Sequence, residues 1–136
     1  MRNYNNYALG KWTKGDGAGT PLFNAITGEE IGRASSKGLD FSEIMSYARK
    51  VGGPKLRKMT FQERGLMLKA LALHLHSIKN KFYALSGETG ATKLDSWIDI
   101  EGGIGNIFAN ASLRKNFPDL PYHIDGEMAP LSKNGT

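Results

Sequence analysis

Residues Thr60–Gly90 read TFQERGLMLKALALHLHSIKNKFYALSGETG, and this stretch decides the fold class. Thr60 with Glu63 three positions on is a capping box, the pattern that satisfies free amide groups at a helix start. Behind it Met67, Leu71, Leu75, Ile78, Phe82 and Leu85 recur at spacings of three and four. That is the period of an amphipathic helix. Ser86-Gly87-Glu88-Thr89-Gly90 breaks the period, so one long helix is predicted from Thr60 to Leu85.

Toward the N-terminus, Asp40 and Glu43 repeat the capping pattern, and Phe41, Ile44, Met45, Ala48 and Val51 share one helical face. Gly52-Gly53-Pro54 is expected to end that helix, because glycine accepts a left-handed cap and proline cannot continue the ladder. Residues 1–36 read as short strands and turns. Tyr7-Ala8-Leu9 and Trp12-Thr13 flank Gly10-Lys11, a Gly-X pair of the type II′ hairpin kind. Gly15, Gly17 and Gly19 suggest a hinge-like loop. Leu22 to Ala34 reads as strand, turn at Thr27-Gly28, strand.

Toward the C-terminus, a further helix is predicted over Leu94 to Leu113, carrying Trp97, Ile100, Ile104, Ile107 and Phe108. Its Gly102, Gly103 and Gly105 each cost roughly 1 kcal/mol against alanine, which suggests close backbone packing, a kink or a break. From Phe117-Pro118 the chain is loop-like. Tyr122-His123-Ile124 and Met128-Ala129 become strands only with a partner, and the end at Asn134-Gly135-Thr136 reads as cut rather than finished. Strands around a helical middle imply α/β or α+β architecture whose sheet is not all present.

Composition narrows the functional classes. The 136 residues suffice for one domain, with 40% hydrophobic and 23% charged residues, as in ordinary globular proteins. No apolar run approaches the roughly 20 residues of a membrane span, and Met1 to Tyr7 lacks a secretory apolar region, so cytoplasm is the default location. With no cysteine there is no disulfide, thiolate metal site or cysteine nucleophile. The net charge of +5 is scattered, with Lys55, Arg57 and Lys58 its densest cluster, so a solvated basic surface is favoured over nucleic-acid binding.

The residues that invite chemistry each have a simpler reading. His74 and His76, two apart on a helix, point about 200° away from each other and cannot share a metal ion. Gly102-Gly103-Ile104-Gly105 lies inside an amphipathic pattern with no apolar strand before it, unlike a nucleotide fingerprint. Asp95 and Asp99 share a helix face, yet Asp95 near the helix start is where a carboxylate favours the macrodipole. Ser96, Ser112 and Ser132 stand in no nucleophile motif.

Several segments, in order, resemble the aldehyde dehydrogenase superfamily. Leu9-Gly10-Lys11-Trp12 looks like its opening hairpin. Asn24 to Gly32 looks like its Asn-Pro-Ala-Thr-Gly-Glu turn, with Ala25 and Ile26 replacing proline and alanine. The helix closing in Glu88-Thr89-Gly90 matches the one that usually ends Glu-Thr-Gly-Lys-Pro, and it departs at Ala91-Thr92. Gly90-Ala91-Thr92 and Trp97 to Gly105 are more similar to one branch, the dehydrogenase half of a bifunctional protein of bacterial phenylacetate degradation, where a hydratase-like domain is fused.

The resemblance implies an α/β fragment of the aldehyde dehydrogenase fold. Residues 1–121 would open the cofactor-binding domain, 122–136 would begin an oligomerisation strand, and the catalytic domain would lie elsewhere. It implies an enzyme that oxidises an aldehyde, for this branch a CoA-linked semialdehyde of aromatic degradation, with NAD or NADP. In such enzymes a thiolate attacks the aldehyde, an oxyanion hole holds the developing charge, and a carboxylate-activated water releases the acid. None of those groups is assigned here: this chain is expected to hold no catalytic, cofactor-binding or metal residue and to be inactive alone. The helix over Leu94–Leu113 borders the aldehyde entrance in the family, so Trp97, Ile100, Ile104 and Phe108 are the substrate-contact candidates, with core packing as their simpler reading. The implied partners are a small aldehyde and further copies of the chain, without nucleic acid or membrane. The competing reading is a free-standing helical module that binds a protein through the Met67–Leu85 face.

Overall fold

The computed structural model describes residues 2–126, which begin as five short strands and continue as helices. Strands β1 (Arg2–Tyr4), β4 (Thr20–Phe23) and β5 (Glu30–Ala34) form one sheet in the order β1-β5-β4. β4 and β5 are the antiparallel pair read from the sequence, joined by a turn that Asn24 organises: its Oδ1 accepts from the amides of Ile26 (2.9 Å) and Thr27 (3.2 Å). Gly28 closes that turn at φ +73°, where a side chain is strained. β1 adds to β5 in parallel, Asn3 opposite Arg33.

Strands β2 (Asn6–Ala8) and β3 (Lys11–Thr13) form the predicted hairpin with a shifted turn. Ala8 pairs with Lys11, so the loop residues are Leu9 and Gly10, both at positive φ (53° and 80°), and the turn is type I′ rather than a Gly10-Lys11 type II′. This register sets Tyr7 opposite Trp12, their rings edge-to-face at 5.3 Å. The Gly15–Gly19 loop lies against the end of β5. A Cβ on Gly15 would collide with the Ser35 carbonyl, and one on Gly19 would lie 2.9 Å from that of Ala34. Ser35 Oγ donates to the Asp16 carbonyl at 2.8 Å and binds the same loop to the end of β5.

Helix α1 (Phe41–Tyr47) starts at Asp40, whose carboxylate accepts from the Glu43 amide at 2.9 Å, one half of the predicted box. It does not stop at Gly52-Gly53-Pro54. The chain widens into a π-turn over Ala48–Gly52, in which the Gly53 amide reaches back to the Ala48 carbonyl, and continues as α2 (Gly53–Lys58). Pro54 sits in the first turn of α2, where no backbone donor is needed, and Gly52 and Gly53 keep right-handed angles.

The long Thr60–Leu85 helix is two. Thr60 caps α3 (Phe61–Ser77) with both bonds of the box present: Glu63 amide to Thr60 Oγ1 at 3.2 Å, and Thr60 amide to Glu63 Oε2 at 2.8 Å. The helix breaks at Ile78 (φ −110°, ψ 9°), after Ser77 turns its hydroxyl onto the His74 carbonyl (2.7 Å). Such a side-chain bond competes with the helical ladder. Helix α4 (Lys79–Glu88) follows, and Gly90 leaves it at φ +84°. Helix α5 (Lys93–Ser112) matches the predicted span and adds a full capping box at Thr92 and Asp95. It runs unbroken through Gly102, Gly103 and Gly105, and a Cβ on any of the three meets open space within the described residues. The predicted close packing falls instead at Gly65, where a Cβ would lie 2.7 Å from Arg114 Cβ and 2.9 Å from the Ala111 carbonyl oxygen.

Helix α5 packs against both α3 and α4, meeting α3 through Gly65 and Ala72 on one side and Ile104 and Ala111 on the other, all buried. The predicted apolar face is covered only in part: Leu75, Ile78 and Phe82 are half-buried. Met67 and Leu71 stand 44% and 46% exposed, and Leu66 and Leu73 are exposed as well. Large apolar side chains exposed among Lys69, His74 and His76 mark a surface suited to cover by a further element. The accessible surface, 10346 Å² for 14.9 kDa, compares with about 7,000 Å² for a folded monomer of that mass.

After α5 and a 3₁₀ turn (Leu113–Asn116), the chain folds back over the start of α3. Phe117 stacks on Phe61 (4.5 Å), Gln62 donates to the Arg114 carbonyl (2.8 Å), and the Phe61 amide donates to the Leu120 carbonyl (3.0 Å). Tyr122–Ile124 has no strand partner among the described residues, and Met128-Ala129 lies outside them. The N-terminal strands thus find backbone partners within the chain, while Tyr7, Trp12 and Phe23 on them stay exposed along with much helix surface.

Candidate functional site

Among the described residues three hollows touch α5, and two of them bear on the candidate residues. The larger, about 870 Å³, opens between α4 and α5 and is lined by Asn80, Tyr83, Lys93, Leu94, Ser96 and Trp97 among others. The helices are pinned at its base by a hydrogen bond between Ser86 Oγ and the buried Ser96 Oγ (2.8 Å). Nearby, Lys79 Nζ lies 2.6 Å from Glu101 Oε1, and Tyr83 OH donates to the same oxygen at 3.2 Å. The Lys79 hydrogen bond holds the Glu101 carboxyl below its ordinary range. Burial first, and then the charge of Glu101, push the Tyr83 phenol up. A carboxylate so paired is a strut between helices rather than a general base.

The smaller hollow, about 190 Å³, lies between α3 and the end of α5 and is lined by Lys69, Phe108, Ala111, Ser112, Arg114 and Lys115. Arg114 is held in place: its Nη1 donates to the Ala111 carbonyl at 2.9 Å, and its backbone oxygen accepts from Gln62. The sequence reading missed this cluster, because Lys69 and Arg114 lie far apart along the chain and no local spacing joins them.

The four substrate-contact candidates do not share one cavity. Trp97, 55% exposed, lines the larger hollow, and half-buried Phe108 lines the smaller one. Ile104, 6% exposed, is packed in the core between them, and Ile100 is half-buried. Asp95 serves as a cap, its Oδ2 accepting from Thr92 Oγ1 at 2.6 Å, and Asp99 is exposed. His74 and His76 are exposed on α3, and no group of three metal-ligating side chains occurs among the described residues.

A doubly wound dinucleotide site is built from a parallel strand–helix–strand unit with a glycine turn opening the helix. Among the described residues the parallel pair β1–β5 is connected through strands and turns, and the Gly102–Gly105 run lies in mid-helix. These residues do not fit a dinucleotide. No helix of the described residues is long and apolar enough to cross a membrane. The arrangement can bind and can pack; among the described residues no hydroxyl is bonded to a histidine, and those bonded to a carboxylate are in the Thr92 cap and the Tyr83–Glu101 and Thr27–Glu29 pairs.

No family model matches the chain. Over 111 residues it is 34% identical to a 3,4-dehydroadipyl-CoA semialdehyde dehydrogenase of Aromatoleum evansii, a match that covers 81% of this chain and 22% of that protein. The chain therefore spans about a fifth of that relative's length. The resemblance read from the residues is borne out over most of the sequence.

Proposed function

We propose that this chain, a relative of a CoA-semialdehyde dehydrogenase and so of the aldehyde dehydrogenase superfamily, is structural scaffold of an enzyme that oxidises a CoA-linked semialdehyde to the acid with NAD or NADP. The match over 81% of its residues carries the reading. The uncovered apolar faces of α3 and α5 support it, since they suit helices that are interior in a larger protein. In this reading residues 1–121 open the cofactor-binding domain and 122–136 lead into an oligomerisation strand. Trp97 and Phe108 face the substrate side, and the thiolate, oxyanion donors and general base come from other parts of the polypeptide. The nicotinamide group supplies the hydride acceptor when bound; these residues support the domain without touching it.

The test is the natural gene product that carries these residues, assayed for aldehyde-dependent reduction of NAD and of NADP with a CoA-linked semialdehyde. Turnover in that product and none in the 136-residue chain is expected. A purified, folded product with no turnover on any CoA-linked or free aldehyde sinks the reading.

A further inference from the structure

We infer that the basic hollow between α3 and the end of α5 is an anion subsite that seats a phosphate group of a nucleotide-bearing thioester. The inference rests on the CoA-semialdehyde reading above. Three cations, Lys69, Arg114 and Lys115, converge there from two elements, and no carboxylate is among the lining residues. Among the described residues none of the three has a carboxylate within 4.0 Å, whereas Arg2, Arg33 and Lys79 are all paired. Clustered positive charge without counter-charge, in a concavity, focuses potential on a ligand.

The geometry suits a phosphate in particular. Arg114 spends one donor on the Ala111 carbonyl, which offsets the negative end of α5, and a guanidinium carries five donors in all. Its remaining donors keep the planar fork that matches phosphate oxygens. Close contact of Gly65 with Arg114 Cβ fixes where that fork starts. A volume of 190 Å³ holds about six waters at liquid density, room for a phosphate group but not for a whole nucleotide. Half-buried Phe108 forms an apolar wall beside the charges, suited to the ribose or base of the same ligand. Lys55, Arg57 and Lys58, the cluster prominent in the sequence, line none of the hollows described here. Charge density alone therefore does not pick out the site. The subsite acts on the handle of the substrate, remote from the aldehyde, so its direct readout is ligand binding.

The test titrates adenosine 3′,5′-bisphosphate into the natural gene product by calorimetry, with nicotinamide cofactor saturating so that its own site is filled. Lys69→Gln with Lys115→Gln is expected to weaken binding by about tenfold or more, as loss of two charge-assisted contacts implies. Lys55→Gln with Lys58→Gln is expected to leave it unchanged. All four lysines are exposed, so these variants keep the fold, which far-ultraviolet circular dichroism verifies. Absent binding, or binding equal in the Lys69/Lys115 variant, overturns the inference. Tighter binding of a short single-stranded oligonucleotide with the same lysine dependence overturns it in favour of nucleic acid. Failure of the dehydrogenase reading registers separately, as missing turnover in the wild-type protein, because the titration does not depend on turnover.

Discussion

Replacing Gly65 by alanine sets two effects of opposite sign against each other. Alanine in a helix interior is favoured over glycine by roughly 0.5–1 kcal/mol. At this position, however, the new methyl would sit 2.7 Å from Arg114 Cβ and Cδ and 2.9 Å from the Ala111 carbonyl oxygen. Neither neighbour is free to yield. The Ala111 oxygen belongs to helical backbone and already accepts from Arg114 Nη1, and the Arg114 carbonyl is tied to Gln62. Overpacking of this kind costs about 1–3 kcal/mol, so Gly65→Ala is expected to destabilise by about 1–2 kcal/mol net. Gly103→Ala on α5 is the matched control: its Cβ meets nothing within 4 Å, so only the helical preference remains and stability should rise by roughly 0.5–1 kcal/mol. Urea titration followed by helical circular dichroism reads both, with midpoints moving in opposite directions. Equal stabilisation by the two substitutions would refute the claim that α3 and α5 meet at Gly65.

Three further outcomes follow from local geometry. Thr92→Val removes the hydroxyl that accepts from the Asp95 amide at 3.1 Å and should lower stability by about 1 kcal/mol in the same titration. Leu9→Asn installs Asn-Gly in the type I′ turn where Leu9 sits at φ 53°, and should raise stability by roughly 0.5–1 kcal/mol. Because the Lys79 hydrogen bond depresses the Glu101 carboxyl, its stabilising contribution is complete above the ordinary carboxylate value of 4.5 and is lost as pH falls through the lower folded value. Glu101→Gln should therefore flatten part of the acid limb of the stability–pH profile, and an unaltered limb would count against the Lys79–Glu101 strut.

How far the sequence could be read depended on the range of the interaction. The caps at Asp40 and Thr60 join residues three apart and the β4–β5 pairs are at most 14 apart, and local pattern found them. The parallel β1–β5 pairing joins residues about thirty apart and left no local trace. At Gly52-Gly53-Pro54 the local rule favoured a stop, yet a π-turn absorbs the missing donor and the helical path continues. Nothing in Ser77-Ile78 announces a break to a periodicity argument, because neither residue is a helix breaker. On α3 the periodic residues Met67 and Leu71 stand exposed, although Leu75 of the same series is half-buried. The closest packing is where a glycine lets two backbones approach, and the outer surface mixes exposed leucines with Lys69, His74 and His76. The basic hollow was illegible for the same reason as β1, since tertiary packing alone brings Lys69 to Arg114 and Lys115.

That these helices are interior parts of a larger dehydrogenase is open to direct measurement, since the chain has no cysteine of its own and a single one can be placed at will. Leu71→Cys, on the exposed face of α3, would be labelled with a maleimide in the 136-residue chain and in the natural gene product, and the modified peptide quantified by mass spectrometry. The account predicts rapid labelling in the short chain and strong protection in the gene product. Equal, rapid labelling in both would contradict it.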